Sequence, residues 1–312
     1  MGERLLIALG GNAILRPGQR GSAAEQLETL KTTARALAGL VEAGHQLGIT
    51  HGNGPQVGNV MIQQHLSRFV IPPWPMDLCG AATQGVIGAM IQQTLRAELS
   101  RRGLDRTVVS LVTHVRVDPN DPAFHNPTKP VGPVATREEA AEGQARGEVW
   151  AEEKGRGWRR VVPSPMPLEI LEAEAVRSLL EAGVIPVAAG GGGVPVVRAA
   201  DGSWRGVEAV IDKDLASSLL ARTLGVDRLL ILTDVDAVYR AFGKPGAQPI
   251  AHLTVSQARE LLATDELGKG NMAPKVRAAA DFAEAGGVAH IGALEAVEAI
   301  LAGQAGTCVS AA

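Results

Sequence analysis

The chain has 312 residues, of which 46% are hydrophobic and 20% are charged, so it is an ordinary folded protein long enough to form two lobes. Its formal net charge of −3 gives no basis for binding to nucleic acid or to an anionic membrane. Cys79 and Cys308 are too few for a disulfide framework and no apolar run is long enough to span a bilayer, so we expect a cytoplasmic protein.

The first predicted element is a buried strand that ends in a glycine turn. Leu5 to Leu9 is continuously apolar, and Gly10-Gly11-Asn12-Ala13 follows it. Paired glycines let backbone N–H groups approach a ligand closely, although a plain strand-to-helix turn explains them equally well. Ser22 and Glu25 then have the spacing of a capping box, which predicts a helix that ends at Gly44.

A second glycine loop follows a short predicted strand at Leu47 to Thr50. The loop reads His51-Gly52-Asn53-Gly54-Pro55-Gln56-Val57-Gly58, which is one residue too long for the dinucleotide-binding fingerprint. We interpret it as a loop that leads into a helix, with Pro55 in the first turn. His51 is interpreted as a structural turn residue rather than a catalyst.

The middle of the chain predicts a packing helix and a small lid. Cys79 to Arg102 reads as a long helix rich in small residues, a candidate dimer helix, and Thr107 to Thr113 as a strand. Five prolines between 118 and 134 predict that the lid, at about 118–160, begins without regular structure. Thr136 and Glu139 then predict a capped short helix. Lys129 lies between two prolines that restrict its backbone, and a surface lysine in a turn is the alternative.

The four consecutive glycines at Gly190 to Gly193 are the next feature. We predict a helix at Leu168 to Ala182 and a strand at Val184 to Ala188 before them. A run of glycines loses much entropy on folding, so close approach of the backbone to a ligand is favoured, with a hinge between lobes as the alternative.

The stretch 206–239 organises the rest of the chain. It predicts a strand at Val207 to Ile211, a helix that follows Asp212-Lys213-Asp214 and stops at Gly225, and a buried strand at Leu229 to Leu232. A lysine at a helix N-terminus opposes the helix dipole, which makes sense if an anion such as phosphate binds there. A solvated lysine paired with either aspartate is the alternative.

The C-terminal part repeats the pattern of strand and helix. Thr233 and Asp234 end a buried strand, where open α/β sheets bind ligands. Thr254 and Gln257 predict another capped helix, and Lys275 lies in the first turn of a helix that continues through Val276 to Ala285. The last predicted elements are a strand at 288–291 and a helix at 294–302. Gly268-Lys269 is not a Walker A loop, because Gly270 replaces its Ser or Thr.

Glycine loops after strands and lysines at helix starts together suit phosphoryl transfer, which requires positioning and charge neutralisation more than covalent chemistry. The sequence contains no CxxC pair, His-x-x-Glu pattern or G-x-S-x-G elbow, so zinc sites and hydrolase chemistry lack support.

At this point the sequence resembles carbamate kinase, within the amino acid kinase superfamily, in order over nearly its whole length. The segments that carry the resemblance are Ala8 to Ala13, His51 to Gly58, Asn126 to Pro130, Gly155 to Arg159, Val162 to Pro165, Gly190 to Gly193, Val210 to Asp214 and Ile231 to Asp236. Three of only seven lysines fall on positions where the family has reactive lysines, in a chain with 23 arginines.

The resemblance implies reversible transfer of phosphate between carbamoyl phosphate and ADP, giving ATP and carbamate. It implies an α/β three-layer αβα sandwich with a mostly parallel central sheet, in two lobes: 1–205 for the carbamoyl group, with the protruding lid subdomain, and 206–312 for the nucleotide. It also implies Mg²⁺, held mainly by nucleotide phosphates and not by protein ligands, and a homodimer.

The site roles that the resemblance implies are as follows. The catalytic residues would be Lys129, Lys213, Lys275 and Asp214, which orients the lysines. The carbamate-side residues would be Gly10, Gly11, Asn12, Gly52, Asn53, Gly54, Gly191 and Gly192. The nucleotide-side residues would be Thr233, Asp234, Tyr239, Met272 and Lys275.

Two departures from the family pattern and three rival functions remain. Val134-Ala135 and Asn271-Met272-Ala273-Pro274 differ from the residues that the family commonly has there, while Lys275 is retained. The rivals are a sister kinase such as one acting on acetylglutamate, a nucleotide-binding regulator without activity, and a Rossmann dehydrogenase. The lid argues against the sister kinase. Retention of the three lysines and Asp214 argues against an inactive regulator, and the glycine spacing argues against a dehydrogenase.

Overall fold

The fold is organised around an eight-stranded sheet. A computed structural model of the chain describes residues 2–243, 246–264, 266–267 and 272–312. The strands are β1 (Arg4–Leu9), β2 (Gln46–His51), β3 (Val108–Ser110), β4 (His114–Arg116), β5 (Lys129–Ala135), β6 (Trp150–Glu153), β7 (Gly157–Val162), β8 (Glu169–Ile170), β9 (Ile185–Val187), β10 (Val194–Arg198), β11 (Trp204–Gly206), β12 (Arg228–Thr233), β13 (Val238–Arg240), β14 (Gln248–Ile250), β15 (His252–Thr254), β16 (Val288–Ala293) and β17 (Thr307–Ser310).

Helices cover both faces of this sheet. The α-helices are α1 (Ala23–Glu42), α2 (Gly54–Ser67), α3 (Met76–Arg101), α4 (Arg137–Ala145), α5 (Ala173–Glu181), α6 (Lys213–Leu224), α7 (Val255–Leu262), α8 (Met272–Glu284) and α9 (Val297–Leu301). Short 3-10 turns lie at Gly11–Ala13, Pro122–Phe124, Gly190–Gly192 and Leu294–Ala296. Within the described ranges, no helix combines the length and the apolarity needed to cross a membrane.

The large sheet has the order β15-β17-β16-β12-β1-β2-β9-β3, and its neighbouring strands are parallel except for β16 and β17. Side chains of β1 alternate between the two faces, as a period of two requires. Leu6 and Ala8 pack with the residues of α6 and α8, whereas Leu5, Ile7 and Leu9 pack with those of α1 and α3. The predicted three-layer αβα sandwich with a mostly parallel sheet is therefore confirmed.

Three smaller sheets surround the large one. Their strand orders are β11-β10-β4-β8, β13-β14 and β5-β7-β6. The sheet β5-β7-β6 and α4 occupy the stretch predicted as the lid, although its action as a lid stays a prediction. The division at 205/206 also stays a prediction: β1 pairs with β12 through Ile7 and Leu230, so the central sheet runs across it without interruption.

Two predicted segments differ from the structure in their strands. Val207 to Ile211 was predicted as a strand, which is wrong: the strand is Trp204–Gly206, and the N–H groups of Val207 and Val210 donate instead to Pro195 and Pro163. The lid stretch was predicted to begin without regular structure, yet Lys129–Ala135 is a strand. It tolerates Pro130 because it lies at the edge of its sheet and pairs with β7 alone.

Predicted bounds elsewhere are partly wrong. The helix expected at Leu168 to Ala182 spans only Ala173–Glu181, because Glu169–Ile170 pairs with β4. The strand expected at Thr107 to Thr113 covers only Val108–Ser110. The predicted last helix begins as a 3-10 turn before α9. All three predicted capping boxes, at Ser22, Thr136 and Thr254, are confirmed. The stretch Gly268-Lys269-Gly270-Asn271 lies outside the described residues.

Candidate active site

A cleft of about 1680 Å³ opens at the carboxyl ends of the central strands, which is where parallel α/β sheets bind ligands. The turns that follow β1, β2 and β12 form one wall of it, and β5 and α8 contribute to others. Every predicted site residue except Gly192 lines this cleft, namely Gly10, Gly11, Asn12, Gly52, Asn53, Gly54, Lys129, Gly191, Lys213, Asp214, Thr233, Asp234, Tyr239, Met272 and Lys275.

Asp214 holds two of the predicted lysines together. Its Oδ1 accepts a hydrogen bond from Lys213 Nζ and its Oδ2 accepts one from Lys275 Nζ at 2.9 Å. The side chains of Asp214 and Lys275 are only 5% and 8% exposed. One carboxylate on the first turn of α6 therefore joins ammonium groups from α6 and α8 in the cleft, and the catalytic role of these residues stays a prediction.

The electrostatics of this buried group follow from its geometry. Burial lowers the pKa of Lys213, and Asp214 offsets only part of that effect. Burial by itself would raise the pKa of Asp214, but the charges of Lys213 and Lys275 and their hydrogen bonds outweigh it, so the pKa of Asp214 is held below its ordinary value. A carboxylate shared by two lysines leaves one positive charge uncompensated, which favours an incoming anion.

Lys129 reaches the same cleft from the three-stranded sheet. Its Nζ donates to Asp212 Oδ2 at 2.9 Å, while Asp212 Oδ1 caps α6 by accepting from the backbone N–H of Asp214 at 2.9 Å. At 35% exposure, Lys129 is the most accessible of the three lysines. The three-stranded sheet also approaches α2 closely, because a Cβ on Gly58 would lie 3.0 Å from the Cα of Gly132.

Backbone N–H groups face the cleft between these charges. Within the described part of the chain, the N–H groups of Gly11, Asn12, Asn53 and Gly54 donate to no protein acceptor. They lie in the first turns of the 3-10 turn and of α2, where N–H groups have no intrahelical acceptor and attract anions. The two predicted glycine loops thus form one concave surface of free donors.

Gly191 and Gly192 have different surroundings. Gly191 lines the cleft and stacks on the carboxamide of Asn53, so that a Cβ there would overlap it. Gly192 lies behind the cleft wall, with φ of +94° and no room for a Cβ beside the carbonyl oxygen of Ile211. The structure therefore places Gly192 in a supporting position, without contact with the cleft.

His51 lies beneath this wall and does not line the cleft. It is buried, its Nδ1 is 2.9 Å from the carbonyl oxygen of Gly52, and its ring contacts Gly190. Burial lowers the pKa of His51 to about 4. Because the carbonyl oxygen can only accept, the neutral ring donates from Nδ1, which fits the structural role expected for His51.

An aromatic pair also lines the cleft. Tyr239 and Phe242 contact edge to face with ring centroids 6.1 Å apart, and the hydroxyl of Tyr239 donates to the carboxylate of Asp236 at 3.0 Å. The hydroxyl of Thr233 donates to Asp234 at 3.0 Å. An apolar ring surface beside polar turn residues can accommodate a planar base together with its sugar.

Some cleft residues were not predicted as site residues from the sequence, although Arg159 belongs to a segment that carries the resemblance. They are Arg159, Gly132, Phe242, Leu267, Leu294 and Glu295. Arg159 binds Gly132 and Glu153, and its role depends on pairing within the small sheet, which no local pattern reveals. The sequence indicated Asp212 as an N-cap, since Asp is frequent before the first turn of a helix. Its bond to Lys129 depends on tertiary structure.

No protein cluster suited to a metal ion is found in the described ranges. Asp212 and Asp214 lie in the cleft, but both are already bonded to lysines. This donor set fits a divalent ion that arrives on the phosphates of a nucleotide, as Mg²⁺ commonly does.

Comparisons with known proteins agree on one family. The sequence model described as "Amino acid kinase family" matches residues 3–292. The chain is 47% identical over 317 residues to a carbamate kinase of Pyrococcus furiosus, covering 99% of both chains. It is 44% identical to a carbamate kinase of Lentilactobacillus hilgardii, covering 99% of this chain and 98% of that relative.

A solved structure gives the same result for the fold. Carbamate kinase from Giardia lamblia bound to AMP-PNP is 39% identical to this chain and superimposes with a TM-score of 0.93. The match covers 99% of this chain and 98% of the Giardia chain.

Proposed function

Because this chain belongs to the amino acid kinase family, we propose that it is a carbamate kinase, which transfers a phosphoryl group between carbamoyl phosphate and ADP to give ATP and carbamate. The observation that carries the proposal is the buried group Lys213–Asp214–Lys275 in a cleft that Lys129 also enters. The rivals considered from the sequence have no observation that favours them.

The three lysines neutralise charge on the transferring group. A β-phosphate oxygen of ADP attacks the phosphorus of carbamoyl phosphate as its bond to the carbamate oxygen breaks, so two anionic groups approach in line. Lys213 and Lys275 offset their repulsion from the buried side, and Lys129 does so from the small sheet. Asp214 fixes both buried ammonium groups before substrate arrives, so little reorganisation is needed during the reaction.

The residues that line the cleft form two groups in this proposal, one for each substrate. The free N–H groups of Gly11, Asn12, Asn53 and Gly54 support binding of the carbamoyl phosphate side. The absence of a Cβ lets Gly10 approach the carbonyl oxygen of Leu232 and Gly191 approach the carboxamide of Asn53. Gly52 lies beside the stem of Lys213, and Gly192 supports the wall from behind.

The nucleotide binds beside the turn that follows β12 and the aromatic pair in this proposal. Thr233, Asp234, Tyr239 and Met272, which line the cleft, would contact the nucleotide, and Lys275 would lie between the two substrates. The corresponding division of the chain is 1–205 for carbamoyl phosphate and 206–312 for the nucleotide.

Mg²⁺ enters with the nucleotide in this proposal and neutralises charge on its phosphates. The protein side of the site is cationic around the transferring phosphoryl group and has two lysine-bonded aspartates, so the described residues leave coordination to phosphate oxygens and water.

The remaining elements of the proposal concern assembly, location and motion. We infer a homodimer in the cytoplasm, with the sheet β5-β7-β6 acting as a lid over the carbamoyl phosphate. Exposed apolar side chains at Leu66, Phe69, Val70 and Trp74, beside the small-residue helix α3, support a protein contact.

The test is a coupled assay of ATP formation from carbamoyl phosphate and ADP with Mg²⁺, run beside acetyl phosphate and N-acetylglutamyl phosphate. We expect ATP to form from carbamoyl phosphate with the highest kcat/KM. Absence of ATP formation from carbamoyl phosphate, or a clear preference for N-acetylglutamyl phosphate, would contradict the proposed function.

A further inference from the structure

Asn53 lies in the cleft with its carboxamide held by a residue behind the wall. The Nδ2 atom of Asn53 is 2.8 Å from the hydroxyl oxygen of Thr83, which is 1% exposed on α3. The same hydroxyl oxygen is 2.7 Å from the carbonyl oxygen of Gly80, one turn earlier in the helix.

The hydrogen-bond chemistry of Thr83 allows only one orientation of that carboxamide. A carbonyl oxygen can only accept, so the single hydroxyl proton of Thr83 is donated to Gly80. The hydroxyl oxygen is then left to accept from Asn53. Because Nδ2 is the donating end of an amide, Asn53 must present Nδ2 to Thr83 and turn Oδ1 the other way.

The Oδ1 atom of Asn53 is therefore the acceptor that remains for a ligand. Asn53 lines the cleft beside the free N–H groups, and in the described ranges no protein donor bonds to its Oδ1. Gly191 covers the face of the carboxamide so closely that a Cβ would overlap it, which restricts rotation of the amide plane.

The loop that carries Gly191 is fixed from the same helix. Gln84 accepts from the backbone N–H of Thr113 at 3.0 Å, and its own Nε2 donates to the Thr113 carbonyl oxygen at 3.1 Å. The hydroxyl of Thr113 accepts from the backbone N–H of Ala189 at 2.8 Å. Ala189 has the left-handed φ of +48°, which a residue with a Cβ keeps only when its surroundings hold it. Thr83 and Gln84, which are adjacent on α3, thus position the carboxamide of Asn53 and the loop that carries Gly191.

We propose that Thr83 sets substrate specificity by fixing Asn53 with Oδ1 toward the carbamoyl nitrogen. This inference rests on the proposed function, because it identifies the group of carbamoyl phosphate that the site recognises. The amino group of carbamoyl phosphate donates N–H bonds, whereas the methyl group of acetyl phosphate, which occupies the same volume, donates none. A site built to bond an N–H group rejects the analogue without it, because its own acceptor is left unpaired.

The experiment compares kcat/KM for carbamoyl phosphate and acetyl phosphate in the full-length enzyme. In Thr83→Val, which keeps the shape and removes the hydroxyl, we expect the preference for carbamoyl phosphate to fall at least about fivefold, mainly through loss of carbamoyl phosphate activity. Thr83→Ser keeps the hydroxyl and should retain the wild-type preference. Where acetyl phosphate is not turned over, its inhibition constant against carbamoyl phosphate replaces its kcat/KM.

Thr94→Val is a matched control, because Thr94 is another buried threonine of α3 whose hydroxyl bonds only to carbonyl groups of its own helix among the described residues. It should leave the preference unchanged. If Thr83→Val does not fold, Asn53→Ala tests the same acceptor and should also reduce the preference.

The outcomes separate specificity from a structural role and from the proposed function. Equal loss of activity toward both substrates in Thr83→Val, or an unchanged preference, would overturn the inference while leaving carbamate kinase activity in place. An unchanged preference in Asn53→Ala would overturn it as well. A wild-type enzyme that makes no ATP from carbamoyl phosphate would instead overturn the proposed function, and this inference with it.

Discussion

Lys129 and Asp212 connect the three-stranded sheet to the start of α6: the Nζ of Lys129 lies 2.9 Å from Oδ2 of Asp212 across 83 positions of sequence. The other oxygen of Asp212 caps the helix that carries Lys213 and Asp214. A single carboxylate therefore couples the position of the small sheet to the positions of the buried lysines.

The prolines on either side of Lys129 provide a first prediction. Replacing Pro127 and Pro130 by Ser gives the backbone of Lys129 more freedom to lose on binding. We expect the KM for carbamoyl phosphate to rise severalfold with little change in the KM for ADP. Steady-state kinetics measure both constants. Pro119→Ser, at an exposed proline outside the cleft, is the control, and unchanged kinetics in the double variant would contradict a lid role for this segment.

The cap formed by Asp212 provides a second prediction, which concerns stability. Asp212→Ala removes the acceptor for the N–H of Asp214 and should lower the free energy of unfolding by about 1 kcal/mol. Asp212→Asn keeps a good N-cap and should cost less. Urea denaturation at pH 7 measures both. Equal losses in the two variants would show that the ion pair with Lys129, and not the cap, accounts for the stability.

Local patterns in the sequence predicted those parts of the fold that short-range physics determines. Ser22, Thr136 and Thr254 cap their helices as expected, since a capping box needs only four neighbouring residues. The apolar run Leu229 to Leu232 is a buried parallel strand for a similar reason. In contrast, Val207 to Ile211 has a strand-like composition, but the N–H groups of Val207, Ala209 and Val210 donate to Pro195, Val207 and Pro163, which do not belong to one partner strand.

In the candidate site, too, local sequence patterns did not predict contacts between distant segments. The glycine loops and the lysines at helix starts were visible in the sequence because each has a local signature, and family resemblance connected them. Thr83 carries no such signature: it is one small residue in a helix rich in small residues, and its bond to the distant Asn53 is visible only in the tertiary structure. Positioning contacts between distant segments require the tertiary structure.

The buried histidines provide a third prediction. Burial lowers the pKa of His51 and of His290 to about 4, from an ordinary value of 6.5, and Arg228 contributes to the shift of His290. As the pH falls below 6.5 the unfolded chain takes up these protons first. Stability is therefore fully present above pH 6.5 and is lost as the pH falls toward 4, by about 1.4 kcal/mol per pH unit for each histidine.

Urea denaturation of the wild type and of His290→Gln between pH 7 and pH 4.5 measures this dependence. The variant should lose stability less steeply with acid than the wild type does. His125→Gln changes an exposed histidine and should keep the wild-type slope. Identical slopes in the wild type and His290→Gln would show that His290 binds its proton equally in the folded and unfolded chains.

The claim on which the function depends is that Lys213 and Lys275 neutralise one transferring phosphoryl group, and the most direct measurement is kcat in Lys213→Ala and Lys275→Ala. Each lysine is fixed by Asp214 in advance, so each loss should reduce kcat by at least about 100-fold, the scale of removing one preorganised charge-stabilising donor. Lys154→Ala, at an exposed lysine outside the cleft, should keep wild-type turnover. Near-wild-type kcat in either purified, folded cleft variant would contradict the account.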